Sequence, residues 1–324
     1  MRADGVARRR FVIALGGNAI LPVGKRGTFA EQVAVTQQTM DQVARLAAAG
    51  HEVVMSHGNG PVVGNIVLRG DAGEQLHGIP AMPMFVCGAD SQGGLGFLIQ
   101  QSLQNSLRKA GIDRPVATVV TQVRVDSADP AFARPTKPIG PFYDERQARL
   151  LEVENGWTVV QDAGRGWRRV VPSPKPLEVV EWPAIRALLE AGVLVIAVGG
   201  GGIPVVREAD GQLRGVDAVI DKDRASDLLG RLVEADTLMI VTQIDKVFVR
   251  YGKPDAEALD VLPASRARAL LAAGEFPAGS MGPKIESALG FLAHGGREVI
   301  ITEPGSLLAA VSGTAGTRIV PDPA

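Results

Sequence analysis

The sequence predicts an α/β fold built on a mostly parallel sheet, and two patterns support this prediction. A strand, a glycine loop and a helix follow one another twice within the first seventy residues, the order of parallel strands joined by crossover helices. The stretch Val193–Val206 (VLVIAVGGGGIPVV) runs from a continuous apolar segment into four glycines. Such an apolar run is typical of a strand buried on both faces of a parallel sheet.

The first two strands and helices are predicted in detail. Phe11–Leu15 is the first strand and Glu52–Met55 the second, and each is followed by a glycine loop. A helix is expected from about Thr28, because Thr28 suits an N-cap and Glu31 stands at the capping-box position. Pro61 suits the first turn of the next helix, where no amide hydrogen is needed.

Further strands are predicted at Met84–Cys87 and Ala117–Val125, separated by a helix over Ser91–Ala110. From residue 177 onward the α/β pattern continues, with helices predicted at Pro183–Ala191, from Asp221 to about Ala235, at Ala264–Ala273 and Met281–His294, and strands at Thr237–Thr242, Val247–Tyr251, Glu298–Thr302 and Thr317–Val320.

Residues 126–176 interrupt this pattern with several prolines and little periodicity, so we predict an insertion that projects from the sheet. Within it, Trp157–Gln161 and Trp167–Val171 are predicted to pair as a hairpin around the turn Asp162–Gly166. The predicted organisation is a disordered tail (1–10), an N-terminal half (11–125), the insertion (126–176) and a C-terminal half (177–324) that completes one continuous sheet.

The composition excludes several classes of protein. Hydrophobic residues make up 46% and charged residues 21% of the 324 residues, an ordinary globular balance. The net charge of −1 and the 4% of aromatic residues argue against a nucleic-acid-binding or membrane-surface protein. The single cysteine, Cys87, excludes an intramolecular disulfide and fits a reducing compartment. No apolar run has the length of a transmembrane helix. We therefore expect a cytoplasmic protein.

Common catalytic motifs are missing from the sequence. It contains neither a G-x-x-x-x-G-K-[ST] loop nor a G-x-G-x-x-G fingerprint between strand and helix, and one cysteine with four scattered histidines makes no zinc site. Residues 89–93 only faintly resemble the nucleophile elbow of hydrolases. Glycine loops are present instead, at Gly16–Gly17, Gly58–Gly60 and Gly199–Gly202. Each alone is compatible with a simple turn, but backbone amides at helix starts also bind phosphate.

Three lysines occupy unusual settings. Lys222 lies between two aspartates just before a predicted helix, and Lys284 lies at a helix start, where a cation opposes the helix dipole unless an anion is bound. Lys137 lies among prolines that stiffen its backbone. Each is also compatible with a solvated surface lysine. Together with the glycine loops, and without an obvious nucleophile, they favour phosphoryl transfer, which depends on positioning and charge neutralisation.

Long motifs in a fixed order resemble those of the amino acid kinase family, in particular its carbamate kinase branch. The resemblance covers the chain from about Phe11 to Pro321. Its segments are Ala14–Ala19 (ALGGNA), Ser56–Pro61 (SHGNGP), Pro135–Tyr143, Asp162–Pro176, Gly199–Pro204, Ala218–Asp223 and Gly279–Lys284.

This resemblance implies a three-layer αβα sandwich on a mostly parallel open sheet, with a protruding subdomain and a homodimeric assembly. It also implies reversible phosphoryl transfer between ATP and carbamate, giving ADP and carbamoyl phosphate, with Mg²⁺ carried mainly by the nucleotide phosphates. We expect the reaction to run toward ATP synthesis, as in arginine metabolism. The first half of the sheet would serve carbamoyl phosphate and the second half the nucleotide.

The resemblance also implies roles for individual residues. Lys137, Lys222, Lys284 and Asp223 would be catalytic, with Asp223 orienting the lysines. Substrate would be bound by Gly16, Gly17, Asn18, Gly58, Asn59, Gly60, Gly200 and Gly201. The nucleotide would be bound by Thr242, Gln243, Asp245, Gly279, Ser280, Met281 and Gly282.

Three positions bear on the branch of the family. Related amino acid kinases carry a lysine where this chain has Ala14, and the resemblance implies that Lys137 supplies the missing charge from the protruding subdomain. Val62 stands where glutamine is expected, and Gln243 where aspartate is expected. The second change removes a carboxylate near the expected nucleotide site. Carbamate is already an anion, so its oxygen needs no general base, and His57 is as compatible with a structural role as with hydrogen bonding to substrate.

Two other hypotheses remain open from the sequence. One is a kinase of the same fold that acts on another small acid, and the other is a non-catalytic small-ligand-binding protein. The combination of Ala14 with Lys137 argues against the first, and the presence of all three lysines argues against the second.

Overall fold

The computed structural model describes residues 8–21, 27–161, 166–277 and 279–323. Within these ranges the chain forms nine α-helices: α1 (Phe29–Ala48), α2 (Val62–His77), α3 (Met84–Lys109), α4 (Glu145–Asn155), α5 (Trp182–Glu190), α6 (Lys222–Leu232), α7 (Ala264–Ala272), α8 (Met281–Ala293) and α9 (Leu307–Ser312). None of these helices is long and apolar enough to cross a membrane.

The strands of the described ranges are β1 (Arg10–Leu15), β2 (Glu52–His57), β3 (Val116–Thr118), β4 (Gln122–Arg124), β5 (Lys137–Tyr143), β6 (Thr158–Gln161), β7 (Trp167–Val171), β8 (Glu178–Val179), β9 (Leu194–Ile196), β10 (Ile203–Arg207), β11 (Leu213–Gly215), β12 (Thr237–Val241), β13 (Val247–Val249), β14 (Glu257–Leu259), β15 (Val261–Pro263), β16 (Glu298–Thr302) and β17 (Thr317–Val320).

Eight strands form the main sheet in the order β15-β17-β16-β12-β1-β2-β9-β3. All neighbouring pairs are parallel except β16 and β17. The two faces of β1 illustrate the three layers, because Val12 packs into one apolar cluster with α6 and α8, whereas Phe11 and Ile13 pack into another with α1 and α3. Both clusters are buried. The predicted α/β sandwich on a mostly parallel sheet is confirmed.

Three smaller sheets accompany the main one within the described ranges, and the smallest is the antiparallel pair β13-β14. A four-stranded sheet has the order β11-β10-β4-β8, and a three-stranded antiparallel sheet has the order β5-β7-β6. The predicted hairpin is the β6–β7 pair, but residues 162–165 of its turn lie outside the described ranges. Helix α4, inside the insertion, was not predicted. The division of the chain into four segments stays a prediction.

The strand predicted at Met84–Cys87 is wrong, because these residues form the first turn of α3. Periodicity cannot assign a four-residue apolar run by itself. In the structure Met84, Cys87, Ser91 and Leu95 are buried at helical spacing. The backbone amide of Met84 donates to Oδ1 of Asp217 at 2.9 Å, which satisfies a free donor at the helix start.

The single strand predicted at Ala117–Val125 is also wrong, since the chain leaves the main sheet after β3 and enters the four-stranded sheet as β4. Gln92 of α3 holds the bend. Its side chain accepts from the backbone amide of Thr121 at 2.7 Å and donates to the carbonyl oxygen of Thr121 at 3.0 Å. The stretch Val193–Val206 changes sheet in the same way, from β9 to β10, through its four glycines.

The structure describes only the last three residues of the predicted tail, and these are ordered. Residues 1–7 of the predicted tail 1–10 lie outside the described ranges. Arg8 forms an ion pair with Glu52, Arg9 forms one with Glu298 at 2.6 Å, and Arg10 is the first residue of β1. These arginines therefore fix the chain at the amino end of the main sheet.

Candidate active site

Three glycine loops lie side by side at the carboxyl edge of the main sheet. Gly16–Gly17 follows β1, Gly58–Gly60 follows β2 and Gly199–Gly202 follows β9. Because these strands are consecutive and parallel, their ends meet at one edge. Open α/β sheets bind ligands at this edge. The structure therefore brings together the loops that the sequence predicts as an anion site.

The glycines let the loops and one lysine pack closely. A Cβ atom at Gly17 would lie 2.3 Å from the carbonyl oxygen of Gly60, which no side chain can accommodate. A Cβ atom at Gly58 would lie 3.0 Å from Cδ of Lys222. The stem of Lys222 is therefore laid along the loop after β2, and this brings the candidate lysine to the same edge as the glycine loops.

Gly200 and Gly201 were predicted to bind substrate. In the structure they pack closely against Asn59 and Ile220. Both are buried, with φ angles of +66° and +94° that favour glycine. A Cβ atom at Gly200 would lie 2.5 Å from the side-chain nitrogen of Asn59, and one at Gly201 would lie 2.3 Å from the carbonyl oxygen of Ile220. Their contact with substrate stays a prediction. The side chain of Asn18 lies outside what the structure describes.

Asp223 joins two of the predicted catalytic lysines. Its carboxylate accepts from Nζ of Lys222 on Oδ1 and from Nζ of Lys284, at 3.2 Å, on Oδ2. The side chain of Asp223 is 3% exposed, and those of Lys222 and Lys284 are 13% and 15% exposed. Lys284 reaches this position from the first turn of α8 and also donates to the carbonyl oxygen of Ser280 at 3.2 Å. The three residues thus form one compact charged group.

Lys137 joins this group through Asp221, whose carboxylate has two roles. Nζ of Lys137 donates to Oδ2 of Asp221 at 2.5 Å, and Oδ1 of Asp221 caps α6 by accepting from the backbone amide of Asp223 at 2.9 Å. Burial alone would raise the pKa of Asp221, but Lys137, Lys222 and Lys284 lower it below its ordinary value. Asp221 is therefore ionised and holds Lys137 in place.

The protonation of Lys222 depends on its neighbours. Burial lowers its pKa from the ordinary lysine value, Asp223 acts in the opposite direction, and Lys284 lowers it further. Three lysines face only two aspartates in this group. The group therefore keeps an excess of positive charge, which a bound anion would neutralise, so the arrangement suits a phosphoryl group.

A cleft of about 980 Å³ opens beside the charged group. Its lining includes Gly60, Lys137, Gln243 and Gly279, all predicted site residues, together with Asp221. The cleft thus lies between the loop after β2, the start of β5 and the loop before α8. This volume is sufficient for a small-molecule site.

A narrower slot of about 220 Å³ adjoins the cleft through Gln243. Besides Gln243, three predicted nucleotide-binding residues line the slot, namely Thr242, Ser280 and Met281. The predicted catalytic Lys284 lines it as well. Its remaining lining is largely apolar or aromatic: Ile244, Phe248, Tyr251, Phe276 and Pro277, with Glu275. A flat aromatic ring system would fit such walls.

Two predicted nucleotide-binding residues also make structural contacts, and their contact with the nucleotide stays a prediction. Oδ1 of Asp245 accepts from the hydroxyl of Thr302 at 3.3 Å and from the backbone amide of Gly316 at 3.2 Å, so this side chain links the ends of β16 and β17. Asp245 is not among the described residues that line the slot. The backbone amide of Gly282 donates to the carbonyl oxygen of Pro277 at 2.9 Å and shapes the loop before α8.

Sequence reasoning missed several residues of the cleft. Asp221, Asn65, Arg168 and Arg224 all line it, and none was assigned a role. The position of Asp221 directly before a helix is an N-cap signal that could have found it. The two arginines carry no local signal. Arg168 reaches the cleft from β7, where its Nη2 donates to the carbonyl oxygen of Gly140 at 3.1 Å.

His57 is buried beneath the glycine loops. Its Nδ1 lies 3.0 Å from the carbonyl oxygen of Gly58, so Nδ1 carries the proton that is donated there. Its Nε2 is buried and has no hydrogen-bond partner among the described residues. Burial lowers the pKa of His57 to about 4, only partly opposed by the hydrogen bond to Gly58. The imidazole is therefore neutral at neutral pH and packs as a structural group.

We expect His57 to make the protein less stable in mild acid. Between the ordinary histidine pKa of 6.5 and the folded value of about 4, the unfolded chain binds a proton that the folded chain does not, so the free energy of unfolding falls as the pH falls. The full shift corresponds to about 3 kcal/mol. In His57→Gln the loss of stability between pH 7 and pH 5 should be about 2 kcal/mol smaller than in wild type.

Urea unfolding at both pH values measures this difference. His77→Gln, at an exposed histidine near the end of α2, is the matched control and should behave as wild type. Equal pH dependence in wild type and His57→Gln would contradict the assignment.

The fold and the site together define a phosphotransferase of a known class. A model of the amino acid kinase family matches residues 9–303. The chain belongs to the amino acid kinase family, which confirms the resemblance and the predicted enzyme class.

The relatives define the branch of the family. A carbamate kinase of Pyrococcus horikoshii is 50% identical over 96% of this chain and 99% of its own length. One of Trichomonas vaginalis is 45% identical over 97% of this chain and 100% of its own. The structure of carbamate kinase from Giardia lamblia bound to AMP-PNP superposes with a TM-score of 0.89, at 42% identity, over 98% of this chain and 99% of that one.

Proposed function

We propose that this protein is a carbamate kinase, which transfers a phosphoryl group reversibly between ATP and carbamate and so interconverts them with ADP and carbamoyl phosphate. The full-length identity of about half with the Pyrococcus carbamate kinase supports this proposal. The observation that carries it in the structure is the group of Lys137, Lys222 and Lys284 gathered on Asp221 and Asp223 at the carboxyl edge of the sheet.

In the proposed mechanism the three lysines surround the transferred phosphoryl group. Its charge is spread over three equatorial oxygens in the transition state, and ammonium groups fixed around these oxygens stabilise it. Asp223 holds Lys222 on one carboxylate oxygen and Lys284 on the other, and Asp221 holds Lys137. The aspartates thus orient the charges before the substrate arrives.

The carbamate oxygen attacks phosphorus without a general base, since carbamate is already an anion. His57 supports this reading because it is buried, neutral and hydrogen-bonded to the backbone. The glycine loops after β1 and β2 would receive carbamate or carbamoyl phosphate. Their packing, in which Gly17 approaches the carbonyl oxygen of Gly60, would form one wall of a site for a small anion.

The nucleotide would enter from the other side. The apolar slot with Phe248, Tyr251 and Phe276 would take the adenine ring, and Ser280 and Lys284 at its mouth would lie near the phosphates. The related Giardia enzyme was solved with AMP-PNP, an ATP analogue. Gln243 stands where slot and cleft meet and would contact the phosphates without adding charge.

Mg²⁺ would be brought by the nucleotide. Among the described residues no group of three His, Cys, Asp or Glu side chains could hold a metal ion, and Asp221 and Asp223 are both paired with lysines. Carried by the nucleotide, Mg²⁺ would supply further neutralisation of the phosphate charge.

Three wider properties belong to the same proposal. We propose that the reaction runs toward ATP synthesis within arginine metabolism, that the enzyme acts in the cytoplasm and that it is a homodimer. The single cysteine, which is buried, supports a reducing compartment. Light scattering of the purified protein tests the dimer.

Acceptor selectivity tests the proposed substrate. With ATP and Mg²⁺, ADP formation should require ammonium bicarbonate, the source of carbamate, and should not occur with acetate, aspartate or acetylglutamate. Coupling ADP to NADH oxidation measures the rate, and a reaction without acceptor is the control. If ADP forms faster with one of the other acids, that acid and not carbamate is the substrate.

A further inference from the structure

The three-stranded sheet that carries Lys137 rests on helix α2. Val63 of α2 and Ile139 of β5 belong to a small apolar cluster, which is distinct from the two clusters of the main sheet. Helix α2 begins directly after the loop Gly58–Gly60. Helix α2, which lies on the substrate side of the cleft, therefore also packs against β5, the strand that carries Lys137.

Within this support the two backbones touch at a pair of glycines. Gly64, in the first turn of α2, is buried and faces Gly140 of β5. A Cβ atom at Gly64 would lie 2.4 Å from Cα and 2.6 Å from the backbone nitrogen of Gly140. Both are backbone atoms, so no flexible side chain could yield to it.

Strand β5 is shaped to make this contact. Gly140 has a φ angle of +69°, and the register between β5 and β7 shifts between Ile139 and Tyr143. The carbonyl oxygen of Gly140 accepts from Nη2 of Arg168 at 3.1 Å, which holds the bulge from the side of β7. The bulge therefore places the backbone of Gly140 against α2.

We propose that Gly64 and Gly140 are positioning residues that set the reach of Lys137 over the cleft. Lys137 is three residues from Gly140 on the same strand and pairs in register with Val171. A displacement of β5 from α2 would carry Nζ of Lys137 away from Asp221 and from the transferred phosphoryl group. This inference rests on the catalytic role proposed for Lys137.

Gly64→Ala is the direct test. The added methyl should push β5 from α2 by on the order of 1 Å and lower kcat by about 10- to 100-fold. KM for ADP should change less than twofold, because the slot is built from other elements. Gly73→Ala is the matched control on the same helix, since its Cβ would lie 3.8 Å from Cβ of Ile79, an ordinary contact. It should keep wild-type kcat.

A double-mutant cycle separates positioning from a general structural defect. In Lys137→Ala, a further Gly64→Ala change should lower kcat by less than twofold, because the group that Gly64 positions is already gone. Should Gly64→Ala fail to fold, Gly140→Ala serves in its place. Its Cβ would meet no atom within 4 Å, but a φ of +69° is strained for alanine and should shift β5, so a smaller loss is expected in wild type and none in Lys137→Ala. Thermal unfolding of each variant confirms that folded protein is compared.

Each outcome has a distinct meaning. Wild-type kcat in Gly64→Ala, or a further tenfold loss in the double variant, would overturn the positioning role and leave the proposed function intact. Wild-type kcat in Lys137→Ala would overturn the catalytic role of Lys137 and the inference with it.

Discussion

Replacing Lys284 with alanine is expected to lower the turnover number by about 100- to 1,000-fold. Removal of one fixed donor that stabilises transition-state charge typically has an effect of this size. Lys284 is 15% exposed, is held by Asp223 and lines the nucleotide slot, so solvent cannot replace its charge easily. Steady-state ATP formation from ADP and carbamoyl phosphate measures the change.

Lys109→Ala is the control for this substitution, because Lys109 is exposed at the end of α3 and lies in another part of the fold. Its turnover should equal that of wild type. If Lys284→Ala kept more than a tenth of wild-type turnover, the role assigned to Lys284 would be refuted.

Asp223→Asn is expected to lower the turnover number by a similar factor and also to change its pH dependence. Without the carboxylate, two largely buried lysines face each other, which should destabilise the fold by about 3 kcal/mol. Asp223 opposes the lowering of the Lys222 pKa by burial, so its removal lowers that pKa further. Lys222 would then lose its proton at lower pH, and the alkaline limb of the turnover profile should move to lower pH.

A pH profile of turnover between pH 6 and pH 9.5 checks this result, with chemical denaturation to measure stability. Asp113→Asn is the control. It removes an exposed carboxylate that is distant from Asp223 in the sequence, and it should leave the pH profile unchanged. A turnover within tenfold of wild type, or an alkaline limb at the wild-type pH, would contradict the bridging role of Asp223.

Much of the fold could be predicted from the sequence because its information is local. Strands β16 and β17 lie at the predicted residues, and β12 differs from its prediction by one residue. Buried parallel strands give continuous apolar runs, which are easily distinguished from amphipathic helices when flanking turns are clear. The start of α1 was equally local, since Thr28 and Glu31 form the predicted capping box.

The errors arose where distant residues decide the local structure. The bend that ends β3 is held by Gln92, which is 29 residues away from Thr121 along the chain. A sequence pattern at Ala117–Val125 contains no trace of that hydrogen bond. The first turn of α3 was misassigned for a related reason, because its helical face becomes visible only when Met84 is read together with Ser91 and Leu95.

The candidate site was predicted in its residue types and less well in its geometry. The three lysines were singled out by their local settings, the resemblance implied catalytic roles for them and for Asp223, and the structure brings all four together. The partner of Lys137 is 84 residues away, so Asp221 could be assigned only from the structure. The sequence suggested that the glycines bind an anion. The structure shows that some of them, such as Gly17 against Gly60, also allow the loops to pack closely.

ATP formation from ADP and carbamoyl phosphate, coupled to hexokinase and glucose-6-phosphate dehydrogenase, tests the central claim most directly. With Mg²⁺ present, wild type should form ATP at a rate that depends on both substrates, and Lys222→Ala should lose nearly all of this rate while remaining folded. Absence of ATP formation by folded wild-type protein, or an undiminished rate in Lys222→Ala, would contradict the account.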